Sequence, residues 1–350
     1  MKETEFNSFL AKIPKAEIHI HIEAVMSFRT IEKLYERRFG KKMSAADEAE
    51  LFSYDNLNGF IKAFLAVQDL FQSVSDFKYV FDDFGKYLAK NNIVYCEAFF
   101  APSAFLKKGF DYGEMISLFS EKIAEIKEKR NIVIKLLLDV SRTFGCDNAM
   151  KNYELLKQYP CKDIIGIGLG GAEQKGPAKN FEPVFSRAHA DGFHAVAHAG
   201  EDVGPESVWD TIKFLRAERI GHGITSVQDP ELMSYLAETQ LPLEVCITSN
   251  VFTKRFIDTV ENHPIRRMYD ENVFVTVNTD DPLFFKTNLI EEYWKCYKKL
   301  HFTLPEIKRL ICNGFNASFL SETAKKSYIR EVNAAWKAFA PADVFPHVKI

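Results

Sequence analysis

Lys15-Ala16-Glu17-Ile18-His19-Ile20-His21-Ile22 is the stretch whose reading decides the fold. Ile18, Ile20 and Ile22 alternate with His19 and His21, the period-two pattern of a strand. Side chains two apart on a strand share a face, so two imidazoles about 7 Å apart at their Cα atoms can converge on one metal ion. Taken alone, His-x-His is more often a pair of satisfied core or surface histidines. Its meaning depends on whether later segments bring further ligands to the same place.

Downstream, strand and helix patterns alternate. A helical run at 30–38 follows the first strand. A largely helical insertion then occupies about 40–91, where Leu57, Phe60, Ile61, Phe64, Leu65, Val67 and Phe71 recur at helical spacing. Such a stripe serves equally as core or as a ligand wall. Apolar strand patterns follow at 93–100, 132–139, 164–169, 193–198, 219–222, 243–247 and 273–278. Helical patterns at 112–130, 148–158, 182–190, 206–215, 230–238 and 265–269 separate them. Eight apolar strands spaced by helices predict an α/β fold, a parallel (β/α)₈ barrel. The helical remainder, 289–337, is expected outside the barrel. One domain spanning 1–350 is the economical reading, because a closed barrel of about 250 residues is commonly a single unit.

Composition narrows the function classes. Lys+Arg 45 against Asp+Glu 48 gives a net charge of -3, without the basic excess of a nucleic-acid binder. No apolar run approaches a membrane span, and the first residues carry no signal-peptide pattern. Six scattered cysteines form no Cys-x-x-Cys, which suits free thiols in a reducing compartment, and the expected location is cytoplasmic. Nothing in the sequence sets an oligomeric state.

The strand ends are polar where the barrel would place its site. Strand one carries His19 and His21, and strand five runs into His198-Ala-Gly-Glu201. Strand six is Gly221-His222-Gly223, and strand eight runs into Asn278-Thr-Asp280-Asp281-Pro282. Each has an ordinary reading: a core histidine, a glycine-flanked turn, or a capping Asp before Pro. Their coincidence at one end of one barrel argues for a site. His19, His21, His198 and Asp280 are a plausible ligand set for one divalent ion such as zinc.

These motifs resemble the adenosine/adenine deaminase family of metal-dependent aminohydrolases. His-x-His, His-Ala-Gly-Glu, Gly-His-Gly and Asn-Thr-Asp-Asp-Pro stand in the family's order, with Gly168-Leu-Gly-Gly-Ala-Glu173 and Thr248-Ser-Asn250 also similar. The resemblance implies one Zn2+ per chain on His19, His21, His198 and Asp280. It implies Glu201 as proton donor to purine N1 and His222 as the residue that positions and deprotonates the attacking water. It sets Asp281 at N7, the Gly171 N–H at N3, and Glu23 toward the ribose 5′ end. Over the pocket it puts a helical lid faced by Leu57, Phe60, Ile61 and Phe64. The implied reaction is hydrolytic deamination of a small-molecule 6-aminopurine.

Three rivals fall away. His21-Ile-Glu23 with Pro160-Cys161 imitates the cytidine-type deaminases, but Ile164 stands where their second cysteine belongs. Binuclear amidohydrolases bridge two metals with a modified lysine or a carboxylate ending strand four, where this chain has Gly170-Gly171. A non-catalytic relative would have lost Glu201 or a ligand. For the substrate, Gly170-Gly171 and Thr248-Ser249-Asn250 look more like the nucleoside branch, so adenosine to inosine is the expected reaction. Ile22-Glu23-Ala24 in place of Leu-Asp-Gly pulls toward adenine or a 5′-modified adenosine such as aminodeoxyfutalosine or methylthioadenosine.

Overall fold

A computed structural model describes residues 1–54, 56–253 and 255–340. Eight parallel strands pair in chain order: β1 (Lys15–His21), β2 (Ile93–Phe100), β3 (Val133–Asp139), β4 (Ile164–Leu169), β5 (His194–Ala199), β6 (Arg219–His222), β7 (Leu243–Val245) and β8 (Val275–Val277). The circuit closes where Asp280 bridges Ile20. There the His21 N–H donates to the Asp280 carbonyl at 2.9 Å and the Asp280 N–H to the His19 carbonyl at 3.1 Å. The Asn278 side chain ties the same seam, its Oδ1 accepting the Ile18 N–H at 3.0 Å. The expected barrel is the observed fold.

The apolar side chains fill the space between strands and the surrounding helices. The barrel interior differs. Lys15, Glu17, His19 and His21 are all buried on one face of β1, and Phe99, Leu137 and Val196 form a small separate apolar cluster. Strands β7 and β8 are shorter than their apolar patterns suggest. After Val245 the chain turns directly into a helix, Ile247–Thr253, which the apolar spacing at 243–247 concealed. The 206–215 helix is α-helical over Pro205–Asp210 and widens to a π-helical turn over Thr211–Leu215 before a left-handed Arg216 ends it.

The insertion folds as three helices, Ala45–Phe52, Leu57–Asp69 and Phe77–Lys90. The middle one starts where Asn56 Oδ1 accepts the Gly59 N–H at 2.9 Å, an N-cap. Near its start, Phe60 packs on Phe284 and Phe285 beyond β8, with ring centroids 5.4 and 5.0 Å apart. Its other end meets the Ser103–Lys107 helix that follows β2. The helix thus crosses the mouth at the C-terminal ends of the strands. At the chain's end, Leu304–Ala317 packs outside β8 and β1, as expected of the C-terminal helices.

Candidate active site

His19, His21, His198 and Asp280 each offer one ligand atom, and these atoms all lie within 4.8 Å of one another in a buried cluster. His21 Nε2 is 3.2 Å from His198 Nε2. Asp280 Oδ1 is 3.4 Å from His19 Nε2 and 3.2 Å from His21 Nε2. Gly221 makes the approach possible, since a Cβ there would meet His19 Cε1 at 2.8 Å. Burial opposes charge on His19, but the Asp280 and Glu244 carboxylates overcome it and push its pKa up to about 9. For His198, burial and then the neighbouring imidazoles hold it well below the usual range. A cluster that draws positive charge at one imidazole and resists protons at another fits a divalent cation.

Supporting groups orient these side chains. Glu244 on β7 takes the His19 Nδ1–H at 2.7 Å, so Nε2 is the ring atom turned to the cluster, where its lone pair would serve once a cation displaces its proton. Ser249 Oγ donates to Asp280 Oδ2 at 2.7 Å. A relay fixes His222. The Ile265 N–H donates to His263 Nδ1, so His263 Nε2–H donates to Asn250 Oδ1, and Asn250 Nδ2 donates to His222 Nδ1 at 3.1 Å. The neutral ring therefore carries its proton on Nε2, which lies 3.4 Å from Glu201 Oε2 and 3.9 Å from Asp280 Oδ2. Burial first, and then nearby imidazoles, bring His222 down to about 3, so it stays neutral. His222 and Asp280 both have left-handed backbones, φ 62 and 66, unusual for non-glycine residues and typical of functional positions.

Beside the cluster opens a narrow cavity of about 80 Å³. His21, His198 and Asp280 reach its wall, together with Glu201, His222, Asp281 and Gly171. Burial, and then Asp280, raises both Glu201 and Asp281 well above the ordinary carboxyl range. Asp281 does not cap the Pro282–Phe285 helix, and its Oδ1 is buried without a partner among the described residues. Gly171 has φ +98, and a Cβ there would meet Thr143 Oγ1 at 2.3 Å, so only glycine fits. Leu57, Phe60, Ile61 and Phe64 all line the cavity, yet Phe60 is also packed in an aromatic cluster. The stripe is thus both wall and packing surface.

Glu23 is placed differently from the other expected site residues. Its carboxyl is buried and absent from the cavity wall, with Oε1 accepting the Ala101 N–H at 2.9 Å. Burial, and less so Asp139, pushes its pKa up to about 8.

Sequence reading passed over several residues that shape the site. Glu173 accepts the backbone N–H groups of Gly200, Glu201, Asp202 and Val203 at 2.7–3.1 Å, fixing the loop that carries Glu201. Glu244, Arg219 and Glu97 form a fully buried ion network beneath His19. The available signal was charge inside otherwise apolar strands, since an ionised side chain is buried only when paired. Gln68, on the cavity wall, gave no such signal in a helix with other polar positions.

The sequence profile of the family described as Adenosine deaminase matches residues 14–335. Over 341 residues the chain is 34% identical to an aminodeoxyfutalosine deaminase of Streptomyces avermitilis, covering 95% of each chain. It is 33% identical over 321 residues to an adenine deaminase of Crocosphaera subtropica, covering 91% of this chain and 98% of that one. In structure it matches adenine deaminase from Arthrobacter aurescens with a TM-score of 0.88 at 28% identity, over 93% of this chain and 99% of that one.

Proposed function

The chain belongs to the adenosine deaminase family, a hydrolase of C–N bonds, and we propose that it deaminates a 6-aminopurine nucleoside with a modified 5′ end, of the aminodeoxyfutalosine kind. One observation carries this reading: the wall that holds Glu201 and Asp281 beside the His/Asp cluster also includes Gln68, Ala101, Ala104 and Phe144 from the segments around the lid. Glu23, which the family resemblance turns toward the 5′ end, has Oε1 on the Ala101 N–H, Oε2 buried without a partner among the described residues, and a place outside the cavity wall. The substrate expectation therefore moves from adenosine, the first reading of the sequence, to its alternatives. The relatives named aminodeoxyfutalosine deaminase and adenine deaminase support the same shift.

His19, His21, His198 and Asp280 would hold the metal, with zinc favoured by three imidazoles and a carboxylate. When bound, such an ion supplies Lewis acidity and lowers the pKa of water at the site. The chain's own groups do the rest. Glu201, kept protonated by burial, gives its proton to N1 as water adds to C6. Asp281, also kept protonated, donates to N7, and the Gly171 N–H donates to N3. His222 presents Nε2–H, so it orients the attacking water by donating a hydrogen bond and does not remove its proton. That revises the role expected from the family resemblance. Asp280 Oδ2 and Glu201 are the carboxylate acceptors within reach of His222. The attacking water's first proton goes to the Asp280 carboxylate and on to the amino nitrogen; the C6–N bond then breaks, ammonia leaves, the C6 hydroxyl returns its proton to Glu201, and a 6-oxopurine remains.

A second reading, free adenine, rests on the adenine deaminase relatives. A panel of adenine, adenosine, 2′-deoxyadenosine, methylthioadenosine and aminodeoxyfutalosine, followed by ammonia release, separates the readings. We expect kcat/KM for a 5′-modified nucleoside to exceed that for adenosine by at least about tenfold, the scale on which a pocket discriminates one added or missing group. Higher kcat/KM for adenine than for every nucleoside would reject the first reading in favour of the second.

A further inference from the structure

The far end of the cavity is closed by the last turn of the Leu57–Asp69 helix. Gln68 stands there, four residues beyond Phe64 and eight beyond Phe60, on the same helical face. It is 2% exposed and lines the cavity, yet neither its Oε1 nor its Nε2 has a partner among the described residues. A buried primary amide with both groups unmet is rare, because such a side chain destabilises the fold unless something meets it. The backbone that carries it is held in place. Lys108 Nζ donates to the carbonyls of Gln68, Asp69 and Phe71 at 3.3, 2.7 and 2.7 Å, pinning the helix end to the segment beyond β2.

Topology places Gln68 relative to the chemistry. Glu201 and Asp281 follow β5 and β8 and His222 ends β6, whereas Gln68 lies over the β2 side of the mouth beside Ala101 and Ala104. In a purine, the N3–N9 edge is opposite the C6 edge. With C6 and N1 at Glu201, and N3 at Gly171, a substituent on N9 is directed away from the reaction centre and across the mouth. Glu23 is not on the cavity wall, and its Oε1 accepts the Ala101 N–H. The amide of Gln68 both donates and accepts, which suits an uncharged oxygen of the substituent, hydroxyl or carbonyl.

We infer that Gln68 is a specificity-determining residue: its amide hydrogen-bonds an oxygen of the N9 substituent and so sets the preference for an N9-substituted purine over the free base. This rests on the nucleoside reading proposed above. The test uses metal-loaded, full-length protein and Gln68→Met, which keeps the length and removes the hydrogen bonds, with Gln68→Leu as a second variant. For the best N9-substituted substrate of the wild type, kcat/KM should fall about 10–100-fold, mostly through KM. For adenine it should change less than about 3-fold, and the thermal midpoint should hold or rise, because an unmet buried amide is gone. Equal losses for adenine and nucleoside, or no loss for the nucleoside, overturn the role of Gln68 while leaving the nucleoside reading intact. A wild type that turns over adenine and no N9-substituted purine overturns both. Should either variant lower the midpoint, the ratio of the two kcat/KM values in the other decides.

Discussion

Replacing Glu244 with Gln tests whether the ion network beneath the site serves the metal as well as the fold. Two donors converge on this fully buried carboxylate: His19 Nδ1–H at 2.7 Å on Oε2 and Arg219 Nε–H on Oε1. Arg219, equally buried, also pairs with Glu97 at 2.6 Å, donates to the Ala317 carbonyl at 3.1 Å and stacks on Phe319. An amide has one acceptor oxygen, so one of the two donors would face its NH₂. Leaving one donor unmet costs about 1–3 kcal/mol. Weakening the pairing of a buried guanidinium adds to this, toward the roughly 3–5 kcal/mol seen when a buried pair is broken. If Gln turns its oxygen to Arg219, His19 loses the carboxylate behind it, and metal affinity falls by about 10–100-fold. Urea unfolding of metal-free protein reads the first quantity and competition with a chelator the second. Burial opposes ionisation of Glu244, but Arg219 and His19 outweigh it and lower its pKa. Its stabilisation is therefore present above the ordinary carboxyl range and lost as pH falls through the lowered value. The difference between wild type and variant should shrink there. Unchanged metal affinity with a clear loss of stability would confine Glu244 to the fold, and no change in either would refute the network.

Three further outcomes are expected. Active protein should hold one divalent ion per chain, and His198→Ala should lose most bound metal together with activity; two ions per active chain by elemental analysis would refute the single site. Glu201→Gln should keep its metal and lose turnover by about 10²–10⁴-fold, the scale of a missing general acid, so near-normal ammonia release would point to another donor for N1. Phe64→Ala should raise KM for a nucleoside with metal content intact, while Phe60→Ala, with its aromatic partners, should also destabilise by up to about 3–5 kcal/mol. Normal kinetics in both would make the stripe a packing surface alone.

The barrel was legible because its strands are apolar on period two and its helices on period 3.6, and because the polar residues at the strand ends interrupt those patterns. His19, His21, His198 and Asp280 could be read for that reason, and they do converge. What escaped reading depends on contacts between distant segments. The Asn250 relay that sets the proton of His222 joins residues after β7 to the Ile265–Asp270 helix, and no local pattern announces it. The placement of Glu23 Oε1 depends on an Ala101 N–H far along the chain. The strand read at 243–247 overruns because Val245 and Ile247 are β-formers, whereas the observed strand ends at Val245 and a helix begins at Ile247. Asp280-Asp281-Pro282 has the composition of a helix cap, but burial and a neighbouring carboxylate turned Asp281 to another use.

Asp280 joins the first strand to the last through its main chain and belongs to the ligand cluster through its side chain. During synthesis, His19 and His21 leave the ribosome early and must wait for nearly the whole chain before their fourth partner arrives. A product cut short anywhere before β8 has neither the seam nor the complete ligand set. The complete ligand set therefore exists only once β8 has closed the barrel.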